Sequence, residues 1–212
     1  LIELLKHEAL PTGHVHRLAG TSGHGVGVID EQGEHFIAIH PGANHRLRQA
    51  HVRAATADIG ASALVYAQFE APDAVIATAF EIARQAGTPT VLNPSPWRPI
   101  ADGLLTTVDT LLLNEHEASS LFASPTDART QSAAWLASAQ AWRLAHPGIE
   151  LVITLGEAGC LWWPAHAATP SHHVARRVQA VDTTGCGDAF AAAWCDGRAR
   201  GLTAAEALSW AQ

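Results

Sequence analysis

The segment Ala180-Val181-Asp182-Thr183-Thr184-Gly185-Cys186-Gly187-Asp188-Ala189-Phe190 sets two glycines and a carboxylate at the point where an apolar strand end passes into an alanine-rich helix. Gly185 and Gly187 allow successive backbone N–H groups to turn toward one point, and a helix opening near Gly187 adds the positive end of its dipole. The pattern therefore predicts an anion site. Asp188 would stand on the first helical turn beside that anion, where a carboxylate repels rather than binds it. Its position makes sense for a general base that takes a proton from an attacking hydroxyl. The plainer alternative is a tight turn followed by an acid that complements the helix dipole.

Such a site needs a scaffold, and the periodicity of the chain supplies one. Short apolar runs at 63–69, 89–93, 110–113 and 150–155 read as strands, and amphipathic stretches at 72–87 and 134–145 read as helices. Pro72-Asp73 opens the first helix and Gly87 stops it. Trp135, Ala139 and Trp142 share one face of the second, which makes them core residues. Gly25 to Asp30 and His35 to His40, separated by Asp30-Glu31-Gln32-Gly33, read as a β-hairpin. Strands alternating with helices imply an α/β fold with a mainly parallel sheet covered on both faces, and ligands belong at the carboxyl ends of its strands. Glu70, Asn93, Asn114, Gly156 and Asp182 all fall at or just beyond a predicted strand end.

Composition narrows the partners. The chain has 212 residues, 48% hydrophobic and 16% charged, enough to bury one substantial core. A formal charge of −7 gives no general attraction to nucleic acid or to an anionic membrane. No apolar stretch approaches spanning length and no basic segment precedes an apolar run at the start, so a cytoplasmic location is expected. Cys160, Cys186 and Cys195 are too scattered for a disulfide framework and read as buried thiols. The 13 histidines show no ligand spacing, and the neighbours His172 and His173 would face opposite sides of a strand. The glycines at 23, 25 and 27 miss the spacing of a dinucleotide fingerprint. Lys6 is the only lysine, so neither a lysine-bearing phosphate loop nor a protein-kinase lysine is present.

Four motifs in order carry a family resemblance. The segment around Asp182 to Asp188 resembles the DTxGAGD signature of the ribokinase-like (PfkB) carbohydrate kinases, with Cys186 where alanine is usual. Asn114-Glu115-His116-Glu117 resembles the NExE motif, Thr154-Leu155-Gly156-Glu157-Ala158-Gly159 the TLGxxG segment, and Asn93-Pro94-Ser95-Pro96 the NPAP turn. His40 to Asn44 and Ala67 to Glu70 extend the likeness toward the ribokinase branch. The resemblance implies a ribokinase-like three-layer α/β/α sandwich with a small β lid. Residues 1–212 would form a single domain, incomplete at both ends, with 12–45 giving strands to the lid. The N-terminal sugar-binding part and the C-terminal adenine-binding segment of the family pattern are expected to lie outside the chain.

The implied activity is transfer of the γ-phosphate of ATP to a primary sugar hydroxyl, with ribose as first acceptor. Asp188 would be the base, and the amides of Gly185, Cys186 and Gly187 the anion hole. Asn114, Thr154 and Gly156 would contact the nucleotide, and Glu117 would hold Mg²⁺ through water. Asn114 and Glu117, three residues apart at a helix start, are equally the pattern of a capping box, and both roles are compatible. Glu70 matches a sugar-binding acid, or is a surface acid before Pro72. Asp182 and Thr184 match positions that help bind a monovalent cation such as K⁺. The expected partners are a sugar, ATP and a second copy of the chain meeting through the lid. Fructose, 2-keto-3-deoxygluconate, a nucleoside or a sugar phosphate are alternative acceptors, and Arg46, Arg48 and Arg53 read as a solvated helix face rather than a second phosphate site. A catalytically silent sugar or nucleotide sensor is the alternative of another class; it would need neither Glu117 nor Asp188.

Overall fold

A computed structural model describes residues 2–29, 35–124, 128–179 and 182–212. In chain order the elements are α1 (Ile2–His7), β1 (His24–Ile29), β2 (His35–His40), α2 (Gln49–Ala54), α3 (Thr56–Ala61), β3 (Val65–Gln68), α4 (Asp73–Ala86), β4 (Thr90–Asn93) and α5 (Asp102–Leu105). They continue with β5 (Thr110–Asn114), α6 (Glu115–Leu121), α7 (Ala133–Ala145), β6 (Glu150–Thr154), β7 (Cys160–Trp163), β8 (Ser171–His173), α8 (Cys186–Ala199) and α9 (Ala204–Ala211).

Strands β3 to β8 form one sheet in sequence order. β3 to β6 are parallel, and β7 and β8 extend the edge antiparallel. Consecutive apolar residues in the central strands feed two cores, because successive side chains leave opposite faces. Leu92, Leu111, Leu113, Leu151 and Ile153 join a cluster with Phe80 of α4 and Trp135 of α7. Val91, Leu112 and Val152 join another with Trp194 of α8 and Leu208 of α9. Both faces of the sheet are thus covered by helices, giving the expected α/β architecture.

The α4 helix ends as its sequence dictates. Gly87 adopts φ +74° and its N–H returns to the carbonyls of Ala83 and Arg84. Trp135 is fully buried, and Trp142 packs partly covered against the same core. The β1–β2 hairpin forms a separate antiparallel pair. Its anticipated turn at Asp30 to Gly33, and Ala180-Val181 before the glycine loop, lie outside the described residues.

Strand β7 is not marked by the sequence pattern, whereas β8 holds His172 and His173 on the strand expected for them. The two strands return through a turn at Gly156–Ala158 and depend on Gly159, whose φ is +95° and whose added Cβ would lie 2.0 Å from the His173 carbonyl oxygen. Only glycine fits that approach.

The connection into β6 is organised by Arg143, which is buried. Its guanidinium donates to the carbonyls of His146, Ile149, Pro147 and Pro164. An Arg143→Met variant keeps much of the stem but leaves several carbonyls unpaired, each worth roughly 1 to 3 kcal/mol. A loss of about 3 kcal/mol is expected, read as a fall in Tm of roughly 6 to 12 °C by calorimetry.

Candidate active site

Four adjacent parallel strands end in polar side chains. Gln68 closes β3, Asn93 closes β4, Asn114 closes β5 and Thr154 closes β6. At this edge the ladder hydrogen bonds run out and side-chain amides take over. Asn93 uses every hydrogen-bonding position it has. Its Nδ2 donates to the Leu112 carbonyl at 2.8 Å and to Glu117 Oε2 at 3.5 Å. Its Oδ1 accepts from Gln68 Nε2 at 3.2 Å and from the Tyr66 hydroxyl at 3.4 Å.

Asn114 and Glu117 form the capping box that their spacing allowed. Asn114 Oδ1 accepts from the N–H groups of His116 and Glu117 at 2.9 and 2.8 Å, and Glu117 Oε2 accepts from the Asn114 N–H at 2.9 Å. Glu117 is only 4% exposed, an unusual burial for a carboxylate at a helix start. Burial pushes its pKa up, against the opposing effect of the Asn114 N–H and the Ser95 side chain. No ion pair compensates it among the described residues. A buried carboxylate held by neutral donors and lacking a cation suits a hydrated divalent ion, which needs few protein ligands. The described residues contain no cluster of three or more His, Cys, Asp or Glu side chains that could cage a dehydrated metal.

The glycine loop delivers the second carboxylate. Gly185 caps α8 with φ +77°, a left-handed conformation that glycine adopts freely. Asp182 Oδ1 accepts from the Thr184 N–H at 2.8 Å, closing a local turn. The Cys186 N–H is engaged by the Thr183 carbonyl at 3.1 Å, whereas the Gly187 N–H has no backbone acceptor among the described residues. Residues 182 to 188 are all exposed. The helix begins one residue earlier than expected, at Cys186, so Asp188 is its third residue. Asp188 Oδ1 accepts from Gln68 Nε2 at 3.0 Å. Hydrogen bonds thus run from Asp188 through Gln68 and Asn93 to Glu117, joining residues up to 120 positions apart in the chain.

The remaining expected residues take positions along this edge. Glu70 stands half-buried two residues beyond β3. Thr154 donates to the Leu113 carbonyl at 3.3 Å, and Gly156, with φ +59°, opens the turn after β6. Gln68, Asn93 and Tyr66 carry contacts that their local sequence did not assign. The available signal was an amide ending each of two neighbouring strands. Burial raises the Tyr66 pKa, and Asp188, Cys195 and Glu117 raise it further, which leaves the phenol as a donor to Asn93.

The cysteines divide by position. Burial pushes the thiols of Cys160 and Cys195 up to about 11. Of the three thiols expected to be buried, only Cys160 is; Cys195 is partly covered, and Cys186 is exposed on the first turn of α8, where residues 186–189 are all open to solvent.

Residues 1–212 match the family described as pfkB family carbohydrate kinase. The ribokinase of Schizosaccharomyces pombe is 29% identical over 212 residues, covering 98% of this chain and 65% of the relative. The ribokinase of Staphylococcus aureus is 31% identical over 199 residues, covering 92% and 62%. Among solved structures, Arabidopsis thaliana ribokinase complexed with ribose and ATP superimposes with a TM-score of 0.74 at 26% identity, covering 91% of this chain and 61% of that one. The chain spans less than two thirds of the length of these relatives.

Proposed function

The chain belongs to the pfkB family of carbohydrate kinases, and from that premise we propose that it transfers the γ-phosphate of ATP to a primary hydroxyl of a sugar, with ribose as the first acceptor. The observation that carries this reading is the placement of Asp188 and Glu117 on one sheet edge, bridged by amides. A phosphoryl-transfer site needs a proton acceptor beside the attacking oxygen and a separate carboxylate for the metal. The likeness to a ribokinase complexed with ribose and ATP supports the choice of substrates.

In this reading Asp188 takes the proton of the sugar hydroxyl as it attacks. The amides of Gly185, Cys186 and Gly187 stabilise the transferring group, with Cys186 exchanging its bond to Thr183 for a phosphate oxygen. Asn114, Thr154 and Gly156 border the nucleotide, and Glu70 contacts sugar hydroxyls. Glu117 would hold Mg²⁺ through water, a site that would supply charge neutralisation to the phosphates. Asp182 and Thr184 contribute to a monovalent-cation site that K⁺ would fill.

The β1–β2 pair is read as the lid, within a contribution from 12–45. Val26 and Ile39 are 57% and 44% exposed, and their register puts them on opposite faces of the pair. One face is assigned to the sugar and the other to a second copy of the chain, since a two-stranded sheet is unstable without cover. A cytoplasmic setting, which supplies ATP and keeps Cys186 reduced, accompanies this reading.

The test is a panel of sugars, nucleosides and sugar phosphates assayed for Mg²⁺-dependent ATP consumption, with and without K⁺. Ribose should stimulate most strongly; stimulation by no acceptor would refute a kinase. A labelling experiment checks the glycine loop separately. Iodoacetamide at pH 8 should modify Cys186 well before Cys160 and Cys195, whose thiols stay protonated. MgATP should slow that modification at least severalfold, as measured by mass spectrometry.

A further inference from the structure

We infer that Gln68 is the positioning residue of the catalytic carboxylate: it fixes one oxygen of Asp188 and thereby presents the other to the sugar hydroxyl. The inference rests on the reading of Asp188 as general base and adds a residue to it. Asp188 is exposed on the first turn of α8, where the helix leaves a short acid more than one staggered rotamer. Gln68 reaches it from β3, across the face of the sheet that α8 covers.

The orientation of the Gln68 amide is dictated by what lies behind it. Asn93 must turn its NH₂ toward the Leu112 carbonyl, since only a donor can satisfy that oxygen at 2.8 Å. Its own oxygen therefore faces Gln68, and Gln68 must answer with its NH₂. The second hydrogen of that NH₂ is left for Asp188 Oδ1 at 3.0 Å. A flipped Gln68 would set its oxygen against both the Asn93 oxygen and the carboxylate. The Tyr66 hydroxyl, donating to the same Asn93 oxygen, holds the arrangement from the side. The base is thus anchored through two rigid amides to the main chain of β5 and to Glu117. Neutral amides accomplish this without adding a charge to either carboxylate.

Gln68→Met is nearly isosteric and donates nothing. It should lower kcat by roughly 10- to 100-fold, the scale of a misplaced catalytic group. KM for MgATP and for the sugar should stay within about twofold, and Tm should stay close to that of the parent. The deciding measurement is a double-mutant cycle. In an Asp188→Asn background the residual turnover should be insensitive to Gln68→Met, because the group that Gln68 positions is already gone. A structural role would lower the residual turnover as well, and additive losses would overturn the inference. So would a Gln68→Met enzyme with parental kcat. If the parent itself showed no sugar-dependent ATP consumption, the functional reading would fall and this inference with it, an outcome distinct from the other two.

Discussion

Replacing Asp188 with Asn is expected to lower sugar-dependent turnover by about 10²- to 10⁴-fold, the usual worth of a positioned general base. The substitution isolates the proposed proton acceptor. Asn keeps the size of the side chain, and its oxygen still accepts from Gln68 Nε2, so the local contact at 3.0 Å survives. Nothing in α8 depends on the charge for its cap, which Gly185 supplies through its backbone. Nucleotide affinity should hold or improve, because a negative charge is removed from beside a phosphate. ADP release followed by a coupled assay gives the turnover, and calorimetric titration with MgATP gives the affinity. A variant that lost both in parallel would point to a collapsed loop, and one that kept turnover would remove Asp188 from the chemistry.

Glu117→Gln should produce effects of opposite sign on activity and stability. Its carboxylate is buried, meets only neutral donors and has its pKa raised by desolvation. A carboxyl whose folded pKa exceeds the unfolded value disfavours the native state once it ionises. That penalty is absent below the unfolded pKa, appears as pH rises through the raised folded one, and is complete above it. Gln keeps the shape and an oxygen for the Asn114 N–H while removing the charge. The variant should be more stable at pH 7 by about 1 kcal/mol, a rise in Tm of roughly 2 to 4 °C, and no more stable near pH 4. Its turnover at limiting Mg²⁺ should fall by at least 10²-fold, recovering in part as Mg²⁺ is raised. A calorimetric pH series beside a Mg²⁺ titration of activity checks both halves. In the parent, Mg²⁺ dependence should worsen on acidification at a higher pH than an ordinary glutamate would give, since protonation of Glu117 would remove the proposed ligand.

Much of this arrangement was legible because it obeys short-range rules. The uninterrupted apolar runs at Leu111 to Leu113 and Leu151 to Ile153 are what a strand buried on both faces requires, and the structure splits them between two cores. Asn114 and Glu117 announced a helix start by their spacing, and the cap forms. Of the two glycines expected to turn the backbone before α8, Gly185 adopts a positive φ and Gly187 does not. Hidden features depended on partners distant in the chain. Gln68 and Asn93 are ordinary strand-end amides until α8 brings Asp188 to them. The antiparallel return from β6 into β7 rests on Gly159 lying against the His173 backbone, a contact that no local pattern announces. The general preference of thiols for the interior does not govern Cys186, which opens α8 on an exposed turn.

The central claim is that this edge moves a phosphoryl group from ATP to a sugar hydroxyl. The most direct test follows the phosphorus itself, using ATP labelled at the γ-position with Mg²⁺ and ribose, and resolving the product by phosphorus NMR. The account predicts label on the primary hydroxyl of ribose, formed by the parent and essentially not by Asp188→Asn. Label released only as inorganic phosphate, retained on the protein, or transferred equally well without Asp188 would contradict it.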